Sequence, residues 1–274
     1  METRVHLYFG DNLIVCESLL KEFGDAFTLI YLDPPFFTQK SFCGFDDHWK
    51  DLKEYVSYLR ERVLLFHRLV APHGSMVIHV DSRVSHYVKV MVDEIFGYDT
   101  FASEIIWRYR RWPTKTKNFQ RIHDTLLRWV RDSKTDPRFV QQYEPLAPST
   151  LKTMGNFKQL AIFDSEGKRH FSLTQDSSPG VPLGDVWDIP ILASQSKERT
   201  GYPTQKPEAL LKLLIASLTF EDDLILDPYM GSGTTLTIGS SLNRRVIGID
   251  SSSTAFEIVK QRFTNLKIPF SEQK

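Results

Sequence analysis

Stretches with the pattern of a strand alternate with stretches with the pattern of a helix in two separate blocks of this chain. Residues 27–32, FTLIYL, form an apolar run that two prolines end, and residues 51–70 repeat their apolar side chains at helical spacing. The alternation holds over the first hundred residues and resumes after Lys206. It predicts an α/β fold, a doubly wound and mostly parallel sheet with helices on both faces.

The chain between these blocks, residues 132–197, has a different character. It is rich in Ser, Thr, Pro, Gly and Gln, and its apolar residues follow neither the helical nor the strand period. The letters SEGKRHFSL within it predict a hairpin. The sequence therefore predicts one domain made of residues 1–131 and 198–274, with a loop-rich region inserted at 132–197.

Composition excludes several classes of protein. The chain has 274 residues, of which 41% are hydrophobic and 25% charged, and its formal net charge is zero, as in ordinary globular proteins. Its two cysteines, Cys16 and Cys43, lack the spacing of zinc ligands or of a disulfide framework, which predicts free thiols in a reducing compartment and no metal. The sequence has neither a signal-peptide pattern nor an apolar run of about 18 residues, which predicts a cytoplasmic protein with no membrane partner.

The letters YLDPPF, residues 31–36, allow two interpretations. Asp33 follows an apolar strand, and Pro34 and Pro35 come next without a backbone N–H to donate. The stretch is either a turn that ends a strand or a rigid device that holds the carboxylate of Asp33 and the ring of Phe36. By itself it does not distinguish the two.

A glycine loop near the other end of the chain favours the second interpretation. In LILDPYMGSGTTL, Gly231-Ser232-Gly233 follows a predicted strand and precedes a predicted helix, where backbone N–H groups can approach a ligand. The next strand ends in Asp250, a position that binds ribose hydroxyls in nucleotide-binding folds. Leu236 replaces the third glycine of a dinucleotide fingerprint, the loop lacks the lysine of a P-loop, and a purely structural turn stays an alternative. The pattern predicts that Asp227, the loop and Asp250 bind an adenosine-bearing ligand without a pyrophosphate.

Three motifs together resemble those of a known family. Asp33-Pro34-Pro35-Phe36 resembles the [DNS]PP[YFW] catalytic motif of DNA amino-methyltransferases. YPTQKP at 202–207 is similar to their [HY]PTQKP element, and DPYMGSGT at 227–234 to their DPFxGSGT motif. The order, with the catalytic motif first, is that of the beta group, and only residues 132–197 lie outside the resemblance. At the positions of Tyr229 and Phe36, other aromatic residues are commoner in the family. Both side chains are themselves aromatic, so the ability to stack on a ring is retained.

The resemblance implies S-adenosyl-L-methionine as the methyl donor and an exocyclic amino group in DNA as the acceptor. It also implies a Rossmann-like methyltransferase fold whose sheet has one antiparallel strand. The implied cofactor-binding residues are Asp11, Asp33, Thr204, Lys206, Asp227, Tyr229, Gly231, Ser232, Gly233, Thr234 and Asp250. An N-cap role stays an alternative for Asp11 and Thr204, as does a solvated side chain for Lys206.

Methyl transfer explains the residue types of the catalytic motif, Asp33, Pro34, Pro35 and Phe36. The lone pair of an exocyclic amino nitrogen is delocalised into the base, so it has to be turned toward the methyl group. Hydrogen bonds from the amino group to Asp33 and to the Pro34 carbonyl would impose that geometry, and the fixed proline dihedral angles would maintain it. Phe36 would stack on the base, which has to leave the duplex to be reached.

A basic stretch, residues 108–134, predicts where DNA binds. It has nine Lys and Arg residues against Asp124 and Asp132, with aromatic residues between them. A solvated basic face is the alternative. The predicted phosphate contacts are Arg108, Arg110, Arg111, Lys115, Lys117 and Arg121. By elimination, region 132–197 is predicted to recognise the target sequence.

The sequence thus predicts a site-specific DNA methyltransferase that acts on adenine N6, because the aspartate of DPPF is commoner in adenine enzymes and serine in cytosine-N4 enzymes. Cytosine N4 is the nearest alternative, followed by RNA methylation and by a non-catalytic nucleic-acid-binding module on the same fold. Double-stranded DNA is the predicted partner. A homodimer and a cognate restriction endonuclease are further candidate partners, and we find no nuclease motif in the chain.

Overall fold

The computed structural model describes residues 3–115 and 117–273. Contacts within this part divide the chain into two units, one made of Met1–Val140 together with Asp185–Lys274, and the other of Gln141–Gly184. The first unit contains both predicted blocks of alternating strands and helices.

Strands and helices alternate in the first unit as predicted, with ends that differ from the predicted ones by a few residues. In chain order the elements are β1 (Val5–Phe9), α1 (Asn12–Phe23), β2 (Phe27–Leu32), β3 (Ser41–Phe42), β4 (Phe45–Asp46), α2 (Leu52–Leu69), β5 (Val70–Val80), α3 (Ser85–Phe96), β6 (Phe101–Arg108), β7 (His123–Val130), β8 (Tyr143–Glu144), α4 (Pro148–Met154), β9 (Phe157–Phe163), β10 (Arg169–Ser177), β11 (Val181–Pro182), β12 (Val186–Asp188), α5 (Glu208–Leu218), β13 (Leu224–Asp227), α6 (Thr234–Ser241), β14 (Arg245–Asp250), α7 (Ser253–Leu266) and β15 (Ser271–Gln273). Among these helices, none is long and apolar enough to cross a bilayer.

One sheet organises the first unit. Its nine strands, counted over the described residues, lie in the order β12-β6-β7-β5-β2-β13-β14-β1-β15. Strand β7 runs antiparallel to both of its neighbours, β5 and β6, and every other neighbouring pair is parallel. The predicted doubly wound, mostly parallel sheet with one antiparallel strand is confirmed.

The two strands that carry the motifs, β2 and β13, lie side by side. Ile225 of β13 pairs with Leu29 of β2, and Leu226 pairs with Ile30. Strands of the first block lie beyond β2, while β14 and β1 lie beyond β13, so the strand order reverses between these two strands. Open α/β sheets bind ligands at such a reversal, at the carboxyl ends of the strands.

Pro72, His73 and Gly74 lie inside β5, although a sequence with Pro and Gly so close together is typical of a turn. Pairing between β5 and β2 is irregular here, between Phe27 and Leu29. A Cβ on Gly74 would lie only 2.8 Å from the Phe27 carbonyl oxygen and 2.9 Å from that of Thr28. The irregularity lets the strand carry a proline, which cannot donate to a regular ladder.

The second unit contains two antiparallel pairs, β9 with β10 and β8 with β11, and the helix α4. The pair β9–β10 confirms the hairpin predicted for SEGKRHFSL, and its turn is closed by a hydrogen bond from Gly167 N to Asp164 O (3.0 Å). This unit is shorter at both ends than the predicted region 132–197. Val140 N donates to Ser217 O (2.7 Å), so the flank that precedes the unit packs into the first unit.

Candidate active site

A cavity of about 390 Å³ opens at the carboxyl ends of β2 and β13. It is lined by the whole DPPF motif, residues 33–36, by Thr204 and Lys206 of the YPTQKP segment, and by Asp227 with most of the glycine loop. Asp11 and Asp250 line it too, as do Tyr202 and Tyr31. The structure therefore brings together around one cavity motifs that are nearly two hundred residues apart in sequence.

One carboxylate oxygen of Asp33 accepts a hydrogen bond, and the other accepts none in the described part of the chain. Its Oδ2 accepts a hydrogen bond from Lys206 Nζ, and this ion pair is largely buried. Its Oδ1 is buried and, within the described residues, accepts no hydrogen bond. A buried acceptor without a donor is unfavourable, so the arrangement suits a ligand that brings an N–H or O–H group.

The chain after Asp33 is held rigidly. Tyr55 Oη donates to Pro35 O at 2.8 Å. The buried Asp47 carboxylate accepts from the backbone N of Phe37 (3.0 Å) and of Thr38 (2.8 Å). The ring of Phe36 lies 5.0 Å from Lys206 Nζ, a cation–π distance. Carboxylate, proline carbonyl and ring are thus fixed relative to one another.

The glycine loop forms a narrow turn against Asp250. Gly231 N donates to Asp250 Oδ2 at 2.9 Å. Gly231 has φ +47° and Gly233 φ +71°, values that disfavour side chains. A Cβ on Gly231 would lie 3.0 Å from Tyr202 Cε1, and one on Gly233 would lie 2.9 Å from Val259 Cγ2. Both glycines therefore pack so closely against neighbouring side chains that neither position accepts a larger residue without a shift.

Two buried carboxyl groups have raised pKa values. Burial raises the pKa of Asp227 to about 7, against the opposing effect of hydrogen bonds from Thr235 and the Tyr229 backbone, and Asp33 and Asp250 raise it further. Burial also raises the pKa of Asp250, which backbone hydrogen bonds from Ser252 and Gly231 partly offset. Because both carboxyl groups are poorly solvated, their ionised forms need a partner. A cationic ligand or a hydroxyl donor would therefore be bound favourably.

Sequence reasoning missed Arg62 and Asn12. Asp11 caps α1 through Leu13 N (2.8 Å) and also accepts from Arg62 Nη2 (2.9 Å). Arg62 Nε donates to Asn12 Oδ1 (2.8 Å), and Asn12 Nδ2 donates to Pro228 O (2.8 Å). Arg62 lies on the buried face of α2, and a charged residue at an apolar helical position is the signal that could have revealed it.

The YPTQKP segment connects the two motifs. Lys206 is buried and paired with Asp33, so its solvated alternative is wrong. Helix α5 begins at Glu208 with Pro207 as its N-cap, so Thr204 is not the cap. Thr234 Oγ1 donates to Lys206 O at 3.3 Å, which ties the segment to the start of α6.

The predicted DNA-binding residues lie on and beside one loop at the same edge of the sheet. Residues 109–122 join β6 to β7, and a hydrogen bond from Tyr109 N to Ile122 O (2.8 Å) extends the ladder into the loop. Trp112 and Phe119 in the loop are 90% and 97% exposed. The basic side chains there are exposed as well: Arg108, Arg110, Arg111, Lys115, Lys117 and Arg121. Two of them have acidic partners: Arg108 forms an exposed ion pair with Asp188, and Arg121 Nη1 lies 3.9 Å from Asp81 Oδ2.

Comparison with known proteins decides the family. The model of the DNA methylase family, N6_N4_Mtase, matches residues 27–261. The chain belongs to the DNA methylase family. The matched range of this DNA methylase begins with β2 and ends in α7, so it contains the DPPF motif, the YPTQKP segment and the glycine loop.

Individual relatives and structures are similar to this DNA methylase over nearly its whole length. The type II methyltransferase M.EcaI of Enterobacter cloacae is 29% identical over 96% of this chain and 70% of its own. The DNA adenine methyltransferase YhdJ of Escherichia coli (strain K12) is 28% identical over 94% of this chain and 81% of its own. The crystal structure of the M1.HpyAVI–SAM complex has a TM-score of 0.59 at 21% identity, covering 94% of this chain and 99% of that one, which supports the common fold.

Proposed function

We propose that this DNA methylase transfers a methyl group from S-adenosyl-L-methionine to the exocyclic N6 amino group of a flipped-out adenine at specific DNA sequences. The observation that carries the proposal is Asp33 Oδ1, a buried acceptor without a donor at the edge of the cavity, as far as the described residues go. The aspartate at this position and the similarity to YhdJ, whose name states adenine, support adenine over cytosine.

The residues around the cavity fit S-adenosyl-L-methionine. Gly231 and Tyr202 both line the cavity, and the carboxyl groups of Asp227 and Asp250 suit a positively charged group and ribose hydroxyls. When bound, the cofactor supplies an electrophilic methyl group on a sulfonium. The full proposed set is Asp11, Asp33, Thr204, Lys206, Asp227, Tyr229, Gly231, Ser232, Gly233, Thr234 and Asp250.

Catalysis by the chain itself is then mainly positioning. Asp33 Oδ1 accepts one hydrogen of the amino group, and the Pro34 carbonyl accepts the other. The nitrogen lone pair is thereby turned out of conjugation with the ring, which can supply several kcal/mol of the barrier reduction. Lys206 orients the Asp33 carboxylate by donating a hydrogen bond to Oδ2. Pro35 is fixed by Tyr55, and Phe36 stacks on the extruded base and offsets part of the cost of unstacking it.

The loop at residues 109–122 is the proposed DNA-binding surface. Its basic side chains are exposed at the edge of the sheet where the cavity opens, and exposed aromatic residues accompany them. The ion pair between Arg108 and Asp188 is exposed and therefore weak, so Arg108 can exchange the carboxylate for a phosphate.

Neutralising Arg110, Lys115 and Lys117 to Gln is expected to weaken binding on every DNA sequence alike. Each phosphate contact that the variant loses should make the slope of log affinity against log salt concentration shallower by about one unit. Fluorescence anisotropy with labelled duplexes at several salt concentrations measures both effects. Lys21→Gln combined with Lys53→Gln and Lys212→Gln is the matched control, because it also removes three exposed positive charges, on α1, α2 and α5. A slope equal to that of the wild type in the loop variant would contradict the assignment.

The unit Gln141–Gly184, within the predicted region 132–197, is proposed to recognise the target sequence. It follows the basic loop in the chain, and the rest of the chain already forms the cavity and its supporting sheet. Double-stranded DNA is the proposed partner and the cytoplasm the proposed location. A homodimer and a cognate restriction endonuclease stay predictions.

Transfer of tritium from S-[methyl-³H]adenosyl-L-methionine to duplex DNA tests the proposed activity. Incorporation into DNA, and not into RNA or into DNA without the enzyme, is the expected result. Absence of incorporation by a folded, cofactor-binding enzyme would leave the alternative of a non-catalytic nucleic-acid-binding protein.

A further inference from the structure

Asp81 lies at the carboxyl end of β5, between the catalytic motif and the basic loop. Ile78 of β5 pairs with Leu32 of β2, the strand that the DPPF motif follows. Val80 of β5 pairs with Thr125 of β7, the strand that the basic loop precedes. Asp81 therefore leaves the sheet at the edge where the cavity opens, beside the proposed DNA-binding surface.

Two arginines from different parts of the chain converge on Asp81. Arg83 Nη1 donates a hydrogen bond to Asp81 Oδ2, and the backbone N of Arg83 donates to Oδ1 at 2.9 Å. Arg121 Nη1, at the end of the basic loop, lies 3.9 Å from Oδ2. The side chain of Asp81 is only 11% exposed, whereas those of Arg83 and Arg121 are 36% and 56% exposed. The carboxylate is therefore buried behind two guanidinium groups that reach solvent.

Asp81 occupies only a small part of the binding capacity of these two arginines. Burial raises the pKa of Asp81 and Asp124 adds to that rise, while hydrogen bonding and charge from Arg83 and the charge of Arg121 oppose it. Asp124, the other acid nearby, accepts a hydrogen bond from Tyr109 instead. Each guanidinium has five N–H groups. Among the described residues, Arg83 donates one of them to Asp81 and Arg121 donates none within hydrogen-bond distance, so the others can bind a second anion.

This inference rests on the proposed function. We propose that Arg83 and Arg121, held by Asp81, form a clamp for one phosphate group of the DNA strand whose adenine is methylated. The basic loop that ends near Arg121 is the proposed DNA-binding surface, and Arg83 extends that surface to the end of β5 beside the catalytic motif. A guanidinium donates two parallel N–H groups that match two phosphate oxygens. Such a contact carries no sequence information and fixes the position of the DNA backbone.

A clamp at this place suits base flipping. The extruded nucleotide rotates about its own backbone, so a fixed phosphate beside it directs the base into the cavity. The backbone N of Arg83 is bound by the same carboxylate as its side chain, which anchors the clamp to β5. The pairing of β5 with β2 then sets its position relative to Asp33. The contacted phosphate should therefore be one that flanks the target nucleotide.

Binding to duplexes that contain a single uncharged methylphosphonate linkage tests the clamp. The target sequence is first read from DNA that the enzyme has methylated, and each linkage near the target adenine is then replaced in turn. The wild type should bind about tenfold more weakly when the clamped phosphate is neutral. Arg83→Gln and Arg121→Gln should each bind the unmodified duplex about tenfold more weakly, and should lose less than about threefold further at that same linkage. Fluorescence anisotropy measures each Kd.

Arg60→Gln is the matched control. Arg60 forms an ion pair with Glu94, as Arg83 does with Asp81, and its side chain is 43% exposed. This variant should bind every duplex as the wild type does. Because Arg83→Gln leaves the buried Asp81 carboxylate with a weaker partner, Asp81→Asn combined with Arg83→Gln is measured as well. The double variant leaves no unpaired charge at the site, and it decides the matter if Arg83→Gln fails to fold.

Three results would overturn the clamp. The first is a wild type that binds equally well whichever linkage beside the target nucleotide is neutral. The second is a loss at that linkage as large in Arg83→Gln, or in the double variant, as in the wild type. The third is an effect of Arg121→Gln at a different linkage from that of Arg83→Gln. In all three cases the wild type still methylates DNA, whereas a wild type that methylates no DNA sequence would overturn the proposed function and the clamp with it.

Discussion

Asp33→Asn is expected to slow the single-turnover rate of methyl transfer by about 100-fold or more. The carboxylate provides two acceptors, of which Oδ2 is taken by Lys206 Nζ and Oδ1 is free within the described part of the chain. Asparagine provides one acceptor and one NH₂ group. Whichever way the amide turns, a donor faces either Lys206 or the amino group of the base, so one of the two hydrogen bonds cannot form.

Rapid-quench kinetics with a saturating duplex measure this rate, and isothermal titration calorimetry measures the Kd of S-adenosyl-L-methionine in parallel. Because Asp33 belongs to the proposed cofactor-binding set, the rate is measured at saturating S-adenosyl-L-methionine, which separates any change in this Kd from the loss of the transfer step. Asp99→Asn is the matched control, since Asp99 precedes β6 at the opposite edge of the same sheet. A rate within about threefold of the wild type in Asp33→Asn would remove Asp33 from the mechanism.

Gly231→Ala is expected to weaken binding of S-adenosyl-L-methionine by about tenfold or more. A φ of +47° costs a residue with a Cβ about 1–2 kcal/mol, which favours another loop conformation that does not bind the cofactor. Each 1.4 kcal/mol of that preference is about a factor of ten in Kd. The new methyl group would also lie 3.0 Å from Tyr202 Cε1. Relief of both strains moves the loop and disturbs the hydrogen bond from Gly231 N to Asp250.

Calorimetric titration with the cofactor measures this Kd as well. Gly184→Ala is a suitable control, because no heavy atom of the described residues lies within 4 Å of the Cβ that it would gain. Equal affinity for the cofactor in Gly231→Ala and in the wild type would show that the glycine loop is not the binding surface.

Local patterns predicted those parts of the fold that depend on local sequence. The apolar run of β2 ends at the prolines, and the apolar spacing of α2 gives its length within a residue at each end. The position of the glycine loop between β13 and α6 could likewise be predicted from the local sequence. Because the carboxyl ends of parallel strands share one edge of a sheet, the meeting of Asp33 with Asp227 could be predicted as well.

Contacts between distant parts of the chain could not be predicted. Lys206 lies 173 residues from Asp33, and nothing in either segment indicates that they form an ion pair. The sequence does not predict the strand His123–Val130, because basic and aromatic residues before it obscure its apolar run. His79 lies in an apolar strand, and nothing in that strand predicts its contact with Asp124. The contact forms because β7 pairs with β5.

The central claim is that the cavity beside Asp33 methylates an adenine amino group. The most direct measurement is mass spectrometry of nucleosides from duplex DNA treated with the enzyme and deuterium-labelled S-adenosyl-L-methionine. The expected product is N6-methyldeoxyadenosine with the labelled methyl group, in amounts that fall sharply with Asp33→Asn. Labelled N4-methyldeoxycytidine in its place, or no labelled nucleoside from an enzyme that binds the cofactor, would contradict the claim.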